Sequence, residues 1–161
     1  RATVTFQFFE EPIFNEYRKE PGEYTVDKPE ALKVISFSGT ELVFILSADE
    51  EHQAWSRDYL LLDGDFSISY QLPKIVQGQY SMHLRAHAYN EENAVVEVFL
   101  DGKKTGRLID LSTGGSESYP YADIEIGDVD FGNYESHNVE IRSLIPGRFE
   151  WDYVRFEPVT N

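Results

Sequence analysis

The chain has no cysteine, which excludes a disulfide and a thiolate metal site. Positive charge is scarce: 14 Lys and Arg stand against 29 Asp and Glu, for a net charge of −15. That balance argues against nucleic acid, whose phosphates need Lys and Arg, and against an anionic membrane face. Acidity by itself most often reflects solubility. No apolar run approaches the ~20 residues that cross a bilayer, so no membrane-spanning segment is expected. The single Met is not at the start, and the chain opens Arg1-Ala2-Thr3. A mature or excised fragment, freed of its targeting sequence, is the expectation. There is no nucleophile elbow, no phosphate loop and no His-Glu-x-x-His. Glycoside hydrolysis needs two carboxyl groups ~5–9.5 Å apart, and with 29 acidic residues some pair meets that by chance. Nothing points to catalysis, so the expectation is not an enzyme.

What the chain does have is alternation. Its 161 residues, 41% hydrophobic and 14% aromatic, suit one domain with a substantial core. Residues 1–161 are read as a single β-sandwich domain. Within it, 1–30 supply an N-terminal strand (Val4 to Phe9) and an irregular connection, with a short strand at Tyr24 to Val26. Residues 31–158 form the sandwich core. Leu32 to Phe37 and Leu42 to Leu46 flank a Ser38-Gly39 turn. Ser47 to Tyr59 is read as a loop with at most a turn of helix capped by Ser47. Phe66 to Leu72 and Tyr80 to Tyr89 alternate cleanly, the second with Tyr80, Met82, Leu84, Ala86 and Ala88 inward and His83, Arg85 and His87 outward. Ala94 to Leu100 is a strand reversed at Asp101-Gly102, and Arg107 to Leu111 returns. Ile124 and Ile126 resume alternation after a long loop, Ser112 to Ala122.

His137 to Leu144 and Phe149 to Phe156 read as two strands that reverse at Ile145-Pro146-Gly147-Arg148, with Pro158 ending the sheet. In the last strand Asp152, Val154 and Phe156 share one face, and Trp151, Tyr153 and Arg155 the other. Nine to eleven strands at even spacing predict an all-β sandwich or barrel. Val139, Ile141, Val154, Phe156, Leu84, Val96, Val98, Phe66 and Ile68 are the expected core.

A family resemblance rests on motifs in a fixed order. They are Gly78-x-Tyr80, then Val96-x-Val98-x-x-Asp101-Gly102, then Ile126-Gly127-x-Val129-x-Phe131. His137-x-Val139-x-Ile141 and Pro146-Gly147 with Trp151-Asp152-Tyr153-Val154-x-Phe156 complete the series. Over roughly Ala31 to Pro158 the chain resembles the galactose-binding-like jelly-roll β-sandwich of many carbohydrate-binding modules. More narrowly, it resembles the C-terminal module of fasciclin-domain surface lipoproteins of Gram-negative gut anaerobes. The resemblance implies an exported cell-surface or periplasmic binding module with a glycan ligand. The rival reading is a structural or docking domain whose partner is another protein domain.

In the modules it resembles, sugars bind at loop tips or on a concave sheet face. Three groups suit one mode or the other. Trp55, with His52, Arg57 and Tyr59, offers an indole for the C–H face of a sugar and polar groups for its hydroxyls; the competing reading has Trp55 anchoring its own loop. Tyr119 and Tyr121, around Pro120 in a loop with Gly114-Gly115, are amphipathic contact residues, or pin the loop instead. Asn90 adds a hydrogen-bonding amide. His83, Arg85 and His87 line a face that is either concave and binding or solvated.

No metal is expected from the two histidines. Four residues apart on a strand is ~13 Å, whereas a Zn–N bond is ~2.1 Å. Modules of this resemblance often carry a structural Ca²⁺ near the first and last strands. This chain lacks a dense Asp-x-Asp-x-Asp loop, and Asp152 is read as a hydrogen-bonded structural carboxylate with backbone N–H groups, Arg148 or Ca²⁺ as its partner. No cofactor is assigned.

Overall fold

The structure, a computed structural model, describes residues 24–26, 33–39, 43–45, 59–72, 75–132 and 136–159. All twelve elements of those residues are strands. One six-stranded sheet holds β10 (Tyr121–Phe131), β6 (Gly78–His87), β12 (Phe149–Pro158), β4 (Tyr59–Leu62) and β3 (Val43–Ile45) in that order, with β1 (Tyr24–Val26) also on β12. The other runs β2 (Lys33–Ser38), β5 (Ser67–Leu72), β11 (His137–Ile145), β7 (Val95–Leu100) and β8 (Lys103–Lys104), with β9 (Ile109–Asp110) also on β7. Every registered pair is antiparallel. The molecule is an all-β jelly-roll sandwich: the alternation predicted a sandwich or barrel, and the family resemblance implied the jelly roll.

Packing follows from period two. On β6, Tyr80, Met82, Leu84 and Ala86 are wholly buried, because a strand sends every second side chain to one face. The nine residues expected in the core all lie in the buried cluster. Aromatic rings bridge the sheets: Trp151 lies 5.7 Å from Tyr70, and Phe66 stacks on Phe149 at 5.5 Å. The Asp101-Gly102 turn has φ of 51° and 81°, the paired positive values that a tight hairpin between twisted strands requires. It joins β7 to β8.

Three expectations are corrected. The run Tyr59–Leu62 is a strand, pairing with both β3 and β12, where the sequence reading assigned none; four residues are too few to show a period. The two last strands are not a hairpin. β11 belongs to one sheet and β12 to the other, so Pro146-Gly147 carries the chain across the sandwich. Reciprocal bonds between Gly64 and Gly147 (3.1 and 3.0 Å) hold that crossing.

The third correction concerns Trp151. The register of β12 on β6 shifts between Trp151, opposite Ala86, and Tyr153, opposite Arg85. The extra residue resets alternation. Trp151, Val154 and Phe156 therefore all enter the core, while Asp152 leaves their face to meet Arg85.

Candidate functional site

Four loops are knitted together at one end of the sandwich. Glu92 O accepts from Arg148 N–H at 2.8 Å, and Arg148 O accepts from Ala94 N–H at 2.9 Å. Leu111 N–H donates to Ala94 O at 3.1 Å. Asn93 is buried, and its amide donates to His87 O and Leu111 O, both at 3.0 Å. Gly147 fits because a Cβ there would meet Glu92 O at 2.6 Å. The loops at residues 63–66, 88–94, 111–120 and 146–148 thus form one platform.

Tyr119 stands on that platform, 72% exposed. Its backbone is held: Tyr119 N–H donates to Ser116 O, Ser116 N–H donates to Tyr119 O, and the Ser116 hydroxyl accepts a further bond. Gly115 N–H donates to Ala88 O and Ala88 N–H to Pro120 O, at 2.9 and 2.8 Å. Tyr89 and Asn90, both exposed, follow Ala88 directly. Asn90 Oδ1 accepts from Glu92 N–H at 2.9 Å. A ring that faces water at low conformational cost is a contact surface for an apolar C–H face. Sequence reasoning passed over Tyr89, though its outward position was visible in the alternation of β6.

The outer face of the β10–β6–β12 layer is the second assembly. Arg85 Nη1 donates to Asp152 Oδ2 at 2.6 Å, and Asp152 is wholly buried. Arg85 is a partner of Asp152 that the sequence reading did not name. His83 Nδ1 lies 2.8 Å from Asp123 Oδ1. The Tyr153 hydroxyl donates to Asp123 Oδ2, and Arg155 Nε approaches the same oxygen at 3.3 Å. Burial pushes the Asp123 carboxyl upward, but the Tyr153 hydroxyl and the Arg155 guanidinium outweigh it and hold it below its ordinary value. Burial first, then Asp123, raises the Tyr153 phenol. Glu150, nearly buried, takes Arg148 Nε at 3.3 Å and lies 3.8 Å from His87. This face is therefore a set of paired charges rather than a solvated one. Among the described residues, no group of three or more His, Asp or Glu is arranged to hold a metal ion.

The residues singled out from sequence fall in different places. His52, Trp55 and Arg57 lie outside the described residues. Tyr59 opens β4 and is buried; Tyr121 opens β10 and is only 5% exposed. Tyr121 lies edge-on to His87 at 5.5 Å and under the Arg85 guanidinium at 5.2 Å. Its hydroxyl is buried with no hydrogen-bond partner among the described residues. Burial, followed by the charge of Glu150, pushes its phenol up. Pro120 thus separates an exposed tyrosine from a buried one, and of the four candidates among the described residues Asn90 and Tyr119 share the loop end in the open.

No protein-family model matches the chain, and no curated protein sequence matches it. Solved structures do. A Paenibacillus xanthan lyase aligns with a TM-score of 0.71 at 16% identity, over 88% of this chain and 14% of that one. The chain thus spans about a seventh of that protein's length. A family 35 carbohydrate-binding module from Clostridium thermocellum aligns at 0.61 and 10% identity, over 84% of this chain and 98% of its own. The CBM36-1 domain of a xylanase from the hindgut metagenome of Trinervitermes trinervoides aligns at 0.58 and 16% identity, over 87% and 100%. The likeness is one of fold: this chain shares the all-β jelly-roll sandwich of these structures.

Proposed function

We propose that the chain is a non-catalytic glycan-binding module whose ligand lies on the loop end. The observation that carries this is Tyr119, a ring 72% exposed on a loop pinned by backbone bonds to Ala88, just past the end of β6. The match to two modules over nearly their whole length supports it. In this reading Tyr119 and Tyr89 stack on the C–H faces of sugar rings, and Asn90 hydrogen-bonds their hydroxyls. Trp55, His52 and Arg57 are further proposed contacts. Tyr59 and Tyr121 sit beneath, as support. No bond is made or broken. An exported, cell-surface setting and the fasciclin-lipoprotein kinship belong to the same proposal. The second reading, a docking domain, is favoured by exposed Leu144 and Ile145 at the end of β11.

The test is a calorimetric titration with plant and host oligosaccharides, with and without EDTA, on the wild type, Tyr119→Ala and Trp55→Ala. Saturable binding that falls about ten-fold or more in Tyr119→Ala, at unchanged thermal stability, is the expected result. Loss on adding EDTA brings calcium into the site. A flat response across the whole panel overturns the proposal in favour of docking.

A further inference from the structure

Two exposed tyrosines meet where the β6–β10 ladder runs out. In that ladder Tyr121 pairs with His87, Ala122 with Ala86 and Asp123 with Arg85. One step further, Ala88 N–H donates to Pro120 O at 2.8 Å. The same register then sets Tyr119 opposite Tyr89. Both Tyr119 backbone groups turn away from Tyr89: the N–H donates to Ser116 O at 3.1 Å, and the O accepts from Ser116 N–H at 2.9 Å. That is the non-hydrogen-bonded kind of antiparallel pair, whose side chains stand closer together, with Cβ atoms ~4.5–5.5 Å apart. The pair two residues inward, Tyr121 and His87, is of the same kind, and its rings lie 5.5 Å apart. Tyr121 is buried there, whereas Tyr119 and Tyr89 are 72% and 46% exposed.

Two rings at that spacing differ from one as a contact for sugars. Their separation is comparable to the advance of one unit along a linear glycan, so consecutive units can rest on consecutive rings. Once the first unit is stacked, the second meets its ring as part of the same molecule, at high effective concentration. It does not lose translational freedom a second time. Backbone bonds hold Tyr119 in place, and a tyrosine has only two χ angles to fix. Little ordering cost therefore opposes the second contact.

We infer that Tyr89 and Tyr119 act as one two-ring platform spanning consecutive units of a linear oligosaccharide, so that the loop end receives a glycan along its chain rather than as a single sugar. The inference rests on the glycan reading of these tyrosines and adds the form of ligand they receive. Its mark is a steep rise in affinity between one sugar unit and two.

The experiment titrates the full chain calorimetrically with gluco-, xylo-, manno- and galacto-oligosaccharides of one to four units. The wild type is compared with Tyr89→Ala, Tyr119→Ala and Tyr89→Phe, with circular dichroism confirming each fold. Contacts from Trp55, His52 and Arg57 are common to all four proteins, so the variants isolate the two tyrosines. The wild type should bind the disaccharide of its preferred series about ten-fold or more tightly than the monosaccharide. Either Ala variant should bring that ratio close to one. Tyr89→Phe should keep it, because stacking needs the ring and not the hydroxyl. A monosaccharide bound as tightly as the disaccharide overturns the two-ring platform and leaves the glycan site standing. A ratio that survives in either Ala variant, or is lost in Tyr89→Phe, overturns the pairing of these rings. Silence from every probe overturns the glycan reading, and the platform with it.

Discussion

Arg85 and Asp152, 67 residues apart in the chain, meet at 2.6 Å on the outer face of the β10–β6–β12 layer, and the carboxylate is wholly buried. The contact exists because β12 carries an extra residue opposite Arg85. A buried charge needs its partner far more than the pair stabilises the fold against an apolar replacement. Arg85→Ala is therefore expected to cost about 3–5 kcal/mol in chemical denaturation. Asp152→Asn, which removes the charge and keeps the shape, should cost less. Equal stability of Arg85→Ala and wild type would remove the pair from any structural role.

Phe131 closes one corner of the core. Its ring lies 5.5 Å from Tyr80, 5.4 Å from Phe156 and 4.6 Å from His137, and the residue is wholly buried. Phe131→Ala deletes three ring contacts and opens a cavity, an expected loss of about 3–5 kcal/mol. Phe131→Leu should lose markedly less. Thermal and denaturant unfolding of both variants check the order; a loss in Phe131→Ala no greater than in Phe131→Leu would refute it.

Asp123 links stability to pH. Its carboxyl is held below the ordinary value in the folded state by Tyr153 and Arg155, which overcome the opposing effect of burial. A depressed folded value means that the unfolded chain takes up the proton first. The stabilising contribution is complete above the ordinary Asp value of about 3.9 and is lost as pH falls through the lower, folded value. Unfolding midpoints of wild type and Asp123→Asn should therefore lie furthest apart near neutrality and converge in strong acid. Parallel pH profiles would show that Asp123 is not linked to folding.

Much of the fold was legible because alternation is a local property of the backbone. Phe66 to Leu72 and Tyr80 to Ala88 show their buried faces residue by residue, and Asp101-Gly102 announces its turn by residue type. The last strand was legible as a strand but not in its faces. Counting back by twos from Phe156 puts Trp151 outside, and only the shifted register on β6 returns it to the core. Tyr119 and Tyr121 look equivalent around Pro120, yet one faces water and the other lies under Arg85. The difference is set by where β10 begins to pair with His87, which no local pattern states.

The sequence by itself determined the strand class, the core residues and the polar outer face of β6, since each depends on side-chain type and a period of two. Only the tertiary structure decided that Pro146-Gly147 crosses between sheets, that Arg85 receives Asp152, and that four separate loops share one end with Tyr119. Those outcomes depend on pairing between strands far apart in the chain, and on a single extra residue in β12, whose energetics appear only once the partner strand is in place.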